Sequence, residues 1–251
     1  MAPIRWLTIV GLGEDGIAGL GDEAKRRILE GEFVFGGKRH LELAADLIKG
    51  KAERWSSPLD ASIQTIQSRR GRGVVVLASG DPFFFGMGAT LSRFIDPAEM
   101  IVIPAPSAFS LAAARLGWPL QDVATISVHG RPVDLIRPHL QPGARILALT
   151  SDAKGPAEIA ALLAATGFGR SILTVLEALG GEHEAVSQHT ALGFGYPKFN
   201  ELNLCGIEVV ADAGARVLTL ASGLDDALFE HDGQITKREI RAMTLSALAP
   251  R

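Results

Sequence analysis

The run Val74-Val75-Val76-Leu77-Ala78 passes directly into Ser79-Gly80-Asp81-Pro82-Phe83-Phe84-Phe85-Gly86. A short apolar run rich in β-branched residues predicts a buried strand. Gly admits positive φ and Pro fixes φ, so the chain must turn sharply where that strand ends. The turn leaves the carboxylate of Asp81 at the carboxyl end of the strand, where open α/β sheets bind ligands. The same residues also read as a plain helix start, with Asp81 as N-cap and Pro82 at N1. Three other turns marked by glycine or proline follow strands in the same way, and this company favours a ligand site. Phe83 and Phe85 are read as core residues at helical positions.

Strand and helix signals alternate through the first half. Strands are predicted at Arg5–Val10, Phe33–Phe35, Val74–Ser79 and Met100–Ile103, and helices at Asp22–Leu29, Arg39–Ile48, Ser62–Arg69 and Ala89–Phe94. A better-marked helix runs from Ser107 as N-cap to Gly117 just past its end, with Pro119 beyond. The βαβα rhythm predicts a mainly parallel sheet covered by helices. After Pro119 the rhythm changes. Val123–Val128, Arg145–Thr150, Ser171–Leu179, Ala185–Thr190 and Asn203–Ala211 read as strands, with helices at Val133–Leu140 and Pro156–Thr166. Gly180-Gly181 between two of these strands signals a hairpin. The second half is therefore a mixed sheet, and the expected division is 1–119, 120–212 and a tail, 213–251. In the tail, Thr236-Lys237-Arg238-Glu239 reads as a capping box opening an amphipathic helix with Ile240, Met243, Ala247 and Leu248 on one side. That helix is expected to begin a further domain that the chain does not contain.

Length and composition narrow the field. A chain of 251 residues has room for one large or two small domains with proper cores. A net charge of −3 without a dense Lys/Arg cluster argues against duplex nucleic acid as a partner. Arg69, Arg70 and Arg72 read as a solvated helix end. The single Cys205 excludes an intrachain disulfide, fits a reducing compartment and reads as a buried strand residue. No apolar run reaches the ~20 residues needed to span a bilayer. A cytoplasmic protein is expected. His40, His139, His183, His189 and His231 show no metal-ligand spacing with Cys or carboxylates, so no metal site is expected.

Gly11-Leu12-Gly13-Glu14-Asp15-Gly16 fits G-x-G-x-x-G, the dinucleotide fingerprint. Glu14 and Asp15 would stand where a pyrophosphate must sit. Gly19 and Gly21 delay the helix, and Val34-Phe35-Gly36-Gly37 offers no acid for a ribose. A cation-bearing ligand suits this loop better than a diphosphate.

Taken together, Ile9-Val10-Gly11-Leu12-Gly13, Ser79-Gly80-Asp81-Pro82 with Gly86, and Pro104-Ala105-Pro106-Ser107-Ala108 resemble the ordered signatures of the tetrapyrrole methylase superfamily. Ala114-Arg115-Leu116-Gly117-Trp118-Pro119, Ser127-Val128-His129-Gly130-Arg131 and Gly155-Pro156-Ala157-Glu158-Ile159 narrow the resemblance to the precorrin-6Y C(5,15)-methyltransferases of cobalamin biosynthesis. The tail from Phe229 to Glu239 resembles the opening of the second, decarboxylating methyltransferase domain of those enzymes. The chain departs from the pattern at Glu14, where the family usually has Pro, and at Ala105, where it usually has Gly.

The resemblance implies a two-domain α/β fold with S-adenosylmethionine in the cleft between domains, and methylation of carbon-5 of a precorrin-6-type ring. It implies cofactor contacts from Glu14, Asp81, Phe84, Ser107, Ala108, Leu149, Leu179 and Leu204. Asp81 would hold the cofactor's ammonium or ribose. His129 and Arg131 would meet the carboxylates of a corrinoid, and His129 is also the candidate general base. Glu177 reads either as facing the cleft or as a strand-end acid in solvent. A homodimer is implied as well. Alternatives are a superfamily methylase acting on RNA or on a modified histidine of a protein, a nicotinamide oxidoreductase, and a noncatalytic scaffold domain.

Overall fold

The computed structural model describes residues 5–195 and 198–249. Ile4, where the resemblance begins, and the closing Pro250 and Arg251 lie outside the described residues. The chain divides into two compact units. One is Met1–Gln121 with Leu176–Ser187 and Phe199–Leu204; the other is Asp122–Val175 with Gln188–Lys198 and Cys205–Arg251.

The first half builds β1 (Leu7–Leu12), α1 (Asp22–Glu30), β2 (Phe33–Gly36), α2 (Lys38–Leu43), β3 (Lys51–Arg54), α3 (Leu59–Ser68), β4 (Val74–Ser79), α4 (Met87–Leu91), β5 (Met100–Ile103) and α5 (Ala108–Leu116). The five strands form one sheet in the order β3-β2-β4-β1-β5, with every neighbouring pair parallel. The chain steps outward from β1 to β2 and β3, returns to insert β4 beside β1, then crosses to β5. Strand direction alternates side chains between two faces. Leu7, Ile9, Val74, Val76 and Ala78 pack on one face with Ile63 and Ile66 of α3 and Leu91 of α4. Val10, Leu12, Val75 and Leu77 pack on the other with Ala24 and Ile28 of α1 and Leu41 of α2. Both central strands are therefore apolar on both faces, as a covered parallel sheet requires.

Three details differ from the sequence-based expectation. The strand β3 was not anticipated, because Lys51, Glu53 and Arg54 give it the polar character of an edge. Phe83 and Phe85 are not helical core. They lie in the turn before α4 and are exposed, and Phe85 adopts φ +56°. Arg69 is not solvated: its guanidinium sits 3.8 Å from the centre of the Phe33 ring and pairs with Glu53 at 2.7 Å.

The second half adds β6 (Ala124–Ser127), β7 (Arg145–Leu149), α6 (Gly155–Ala165), β8 (Ile172–Glu177), β9 (Ala185–Thr190) and β10 (Asn203–Glu208). They form a second sheet in the order β6-β7-β10-β8-β9. β6 and β7 are parallel, and the segment between them, Val133–His139, is a 3-10 helix containing Pro138. β8 and β9 are neighbours joined by a turn with Gly180 at φ +84°. A connection this short permits only an antiparallel pair, so the sheet is mixed. Cys205 is fully buried in β10, and burial pushes its thiol pKa up. The last helix, α7 (Arg238–Leu248), is capped at Lys237 with no side-chain cap hydrogen bond. The expected capping box does not form. Among the described residues no helix is long and apolar enough to cross a membrane.

Candidate functional site

The turns after β1, β4 and β5 meet backbone to backbone. Gly80 N–H donates to the Leu12 carbonyl at 3.1 Å, and Ala105 N–H donates to the Gly80 carbonyl at 3.2 Å. A Cβ on Gly11 would stand 2.0 Å from the Gly80 oxygen and 2.6 Å from the Ala105 nitrogen, so no larger residue fits. Gly80 adopts φ +52°, and a Cβ there would press on Pro106 and Ser107. The glycine and proline signatures seen in the sequence are therefore one junction, at the carboxyl edge of a parallel sheet where the connection order reverses. Such a switch point is where α/β sheets place ligands.

Several candidate residues surround this junction. One Asp81 carboxylate oxygen accepts the Phe83 N–H at 2.8 Å, an Asx turn that orients the side chain. The Asp81 backbone carbonyl accepts the Phe84 N–H at 3.2 Å, and among the described residues the carboxylate accepts no second hydrogen bond. Pro82 does not open a helix, since α4 begins only at Met87. Phe84 packs on the buried Phe109 of α5, ring centres 4.9 Å apart. Ser107 is the N-cap of α5: its hydroxyl accepts the Ser110 N–H at 3.1 Å. Ala108 opens that helix, where N–H groups lack intrahelical partners. Glu14 lies just beyond β1, and its Cβ is 2.7 Å from the position of a Cβ built on Gly181. Leu179 and Leu204 are buried, Leu204 almost completely. Glu177 accepts the Asn200 N–H at 2.6 Å. The turn after β8 is tied to α5 through Arg115, which pairs with Glu184 at 2.5 Å, while Glu184 also accepts the Gly180 N–H. Arg115 and that N–H hold the Glu184 carboxyl below its ordinary pKa.

His129, Arg131 and Leu149 gather in the other unit, at the carboxyl ends of β6 and β7. Val128 N–H donates to the Leu149 carbonyl. Gly130, at φ +65°, donates its N–H to Ser151 Oγ at 2.9 Å. His129 Nδ1 lies 3.2 Å from the Thr150 carbonyl oxygen. A carbonyl only accepts, so Nδ1 carries a proton, and in the neutral form of the ring the lone pair is on Nε2. His129 and Arg131 are both exposed.

A second cluster escaped the sequence reading, which treated His40 as standing alone. Arg39 of α2 pairs with Glu14, and its Nη2 lies 3.1 Å from His40 Nε2 and 3.3 Å from Ser79 Oγ. His40 Nε2 and Ser79 Oγ are 2.8 Å apart. Burial, and then the charge of Arg39, depress the His40 pKa to about 4, so the ring is neutral at neutral pH. Its Nδ1 is buried with no partner. The available sequence signal was positional: Glu14, Arg39, His40 and Ser79 all stand at or just beyond strand ends.

The glycine loop does not form a dinucleotide cradle. A 3-10 turn, Gly16–Gly19, follows it, and α1 begins only at Asp22. Among the described residues, no three His, Cys, Asp or Glu side chains group as metal ligands.

Sequence and structure comparisons agree with this geometry. Residues 6–192 match the family model of tetrapyrrole (corrin/porphyrin) methylases, and residues 227–251 match a precorrin methyltransferase domain. A precorrin-6Y C(5,15)-methyltransferase (decarboxylating) from Sinorhizobium sp is 65% identical over 246 residues, covering 98% of this chain. The chain spans only 60% of that relative's length. A cobalt-precorrin-7 C(5)-methyltransferase from Salmonella typhimurium is 35% identical over 183 residues, which are 72% of this chain and 88% of the relative. The crystal structure of a precorrin-6Y methylase from Archaeoglobus fulgidus superposes with a TM-score of 0.63 at 26% identity, covering 82% of this chain and 98% of that one. With a family match running through both sheets as far as Leu192, the chain belongs to the tetrapyrrole methylases.

Proposed function

We propose that the chain is an S-adenosylmethionine-dependent methyltransferase module that methylates carbon-5 of a precorrin-6-type corrinoid in cobalamin biosynthesis. The observation that carries this reading is the junction of Gly11, Gly80 and Ala105, where three turns close on one another at the carboxyl edge of the parallel sheet. The names of two relatives, one acting at carbon-5 and carbon-15 and one at carbon-5, support the position of methylation. Carbon-15 methylation and decarboxylation are not ascribed to this chain.

Glu14, Asp81, Phe84, Ser107, Ala108, Leu149, Leu179 and Leu204 are the proposed cofactor-lining residues. The cofactor would supply an electrophilic methyl group, and methyl transfer to carbon needs in-line placement with reacting atoms about 3–3.5 Å apart. Asp81 offers carboxylate charge to a cation or hydroxyl, and its Asx turn fixes where that charge points. Phe84, braced on Phe109, offers an aromatic wall. His129, exposed and anchored through Nδ1, would take at Nε2 the proton released after carbon–carbon bond formation. Arg131 beside it would hold an acid side chain of the ring. We also propose a cytoplasmic homodimer, which light scattering on the purified chain checks.

The test is calorimetric titration with S-adenosylhomocysteine and with NAD, beside a methyl-transfer assay on a precorrin-6-type substrate. Submicromolar to micromolar binding of the first ligand alone, weakened about tenfold to a hundredfold in Asp81→Ala, is the expected result. Unaltered binding and activity in that variant would contradict the site.

A further inference from the structure

We propose that Arg39 is a carboxylate-binding residue for the substrate, held at the carboxyl edge of the first sheet by Glu14, His40 and Ser79. This rests on the methyltransferase reading above and adds to it a subsite that the glycine and proline signatures do not contain.

The argument begins with placement. Ser79 is the last residue of β4, and Arg39 and His40 lie in the helix that follows β2, the strand beside β4. Glu14 follows β1, on the other side of β4. Three strand ends thus bring one cation to the edge where the ligand turns lie. The Arg39 side chain is one-third exposed, at 33%. Burial pushes its guanidinium below the ordinary pKa. Arg still keeps its charge.

The donors are then accounted for. Arg39 Nη1 faces Glu14, and Nη2 faces His40 and Ser79. A guanidinium carries five N–H donors and no acceptor, and no further acceptor for Arg39 occurs among the described residues. Its approach to His40 Nε2 requires that nitrogen to hold the lone pair, so the ring's proton is on Nδ1. A neutral His40 adds no competing charge and braces one arm of the fork. Ser79, exposed at the strand end, adds a hydroxyl beside that arm. Nε is left without an acceptor among the described residues, and a charged N–H beside the Ser79 hydroxyl suits a carboxylate. Corrinoid precursors carry such groups as acetate and propionate side chains. A purely structural Arg39–Glu14 pair would not call for the neutral imidazole and the exposed hydroxyl on the other arm.

The experiment titrates the 251-residue chain, saturated with S-adenosylhomocysteine, with cobyrinic acid and with its heptamethyl ester. The wild-type chain is expected to bind the acid at least tenfold more tightly. Arg39→Gln should remove that preference in a chain that S-adenosylhomocysteine still saturates. Arg39→Lys, which keeps the charge and loses the fork, should fall between them, and it serves if Arg39→Gln does not fold. A preference that survives in either variant at wild-type size would overturn the proposal. So would equal loss of acid and ester binding, which marks a structural role. A wild-type chain that binds S-adenosylhomocysteine without distinguishing acid from ester overturns this subsite alone. Failure to bind S-adenosylhomocysteine overturns the methyltransferase reading and this subsite with it.

Discussion

The two sheets end in different kinds of edge. Beyond β1, β4 and β5 the proposed site is backbone: Gly80 and Ala105 approach Gly11 so closely that they leave no room for a side chain on it. Beyond β6 and β7 the candidate groups are side chains, His129 and Arg131, on an exposed turn held by Thr150 and Ser151. The first edge is intolerant of added volume at its glycines. The second tolerates volume and depends on which functional groups it carries. Under the proposed function, that division gives the cofactor a rigid backbone edge and the substrate a set of side chains.

Substitutions can break or sharpen the contrast. The largest effect is expected from Gly11→Ala. Its methyl group would meet the Gly80 oxygen at 2.0 Å, and relief requires moving backbone. A loss of about 3 kcal/mol or more in urea denaturation, together with loss of S-adenosylhomocysteine binding, is expected. A stable variant with normal binding would show that the junction is not tight.

At the other edge, His129→Gln removes a base and little volume. The turnover rate should fall by roughly 10²–10⁴ with cofactor affinity and melting temperature unchanged. A fall in stability instead would move His129 into the architecture and erase the contrast.

His40 gives a smaller effect with a definite sign. Its folded pKa of about 4 lies below the value near 6.5 of an unfolded chain. The unfolded state therefore binds the proton more readily, and stability falls as pH drops from about 6.5 towards 4. The contribution between pH 7 and pH 5 is at most about 2 kcal/mol. Urea midpoints at the two pH values, in the wild type and in His40→Gln, should show that slope shrinking in the variant. Equal slopes would mean that His40 is not held neutral.

The smallest effect is expected at Ser107, whose hydroxyl caps α5. Ser107→Ala should cost about 1 kcal/mol in chemical denaturation. A substantially larger loss would mean that the cap also braces the junction with Gly80.

Much of the fold was legible because local signals and burial agree. β4 and β5 have the predicted limits, and α5 runs from the predicted Ser107 cap to Gly117 at φ +65°. β3 was hidden because an exposed edge strand has no apolar face to give it away. The predicted helix Arg39–Ile48 stops at Leu43 and continues as a 3-10 turn. Val133–His139 winds as 3-10 with Pro138 unable to donate to an α-helical bond. At the site, the Gly and Pro turns were readable because glycine at a crowded or positive-φ position leaves a mark in the sequence. The partners of Arg39 were not, since nothing local links Glu14, His40 and Ser79 until β2, β4 and β1 lie side by side. Phe83 and Phe85 misled because an aromatic run reads as core, whereas here both flank a turn at the sheet edge.

The most direct measurement is a crystal structure of the chain grown with S-adenosylhomocysteine. Density for the ligand is expected against the turn backbones at Gly11, Gly80 and Ala105, within hydrogen-bonding reach of Asp81. A well-occupied ligand bound anywhere else, with those three turns still closed on one another, would contradict the assignment of this edge as the cofactor site.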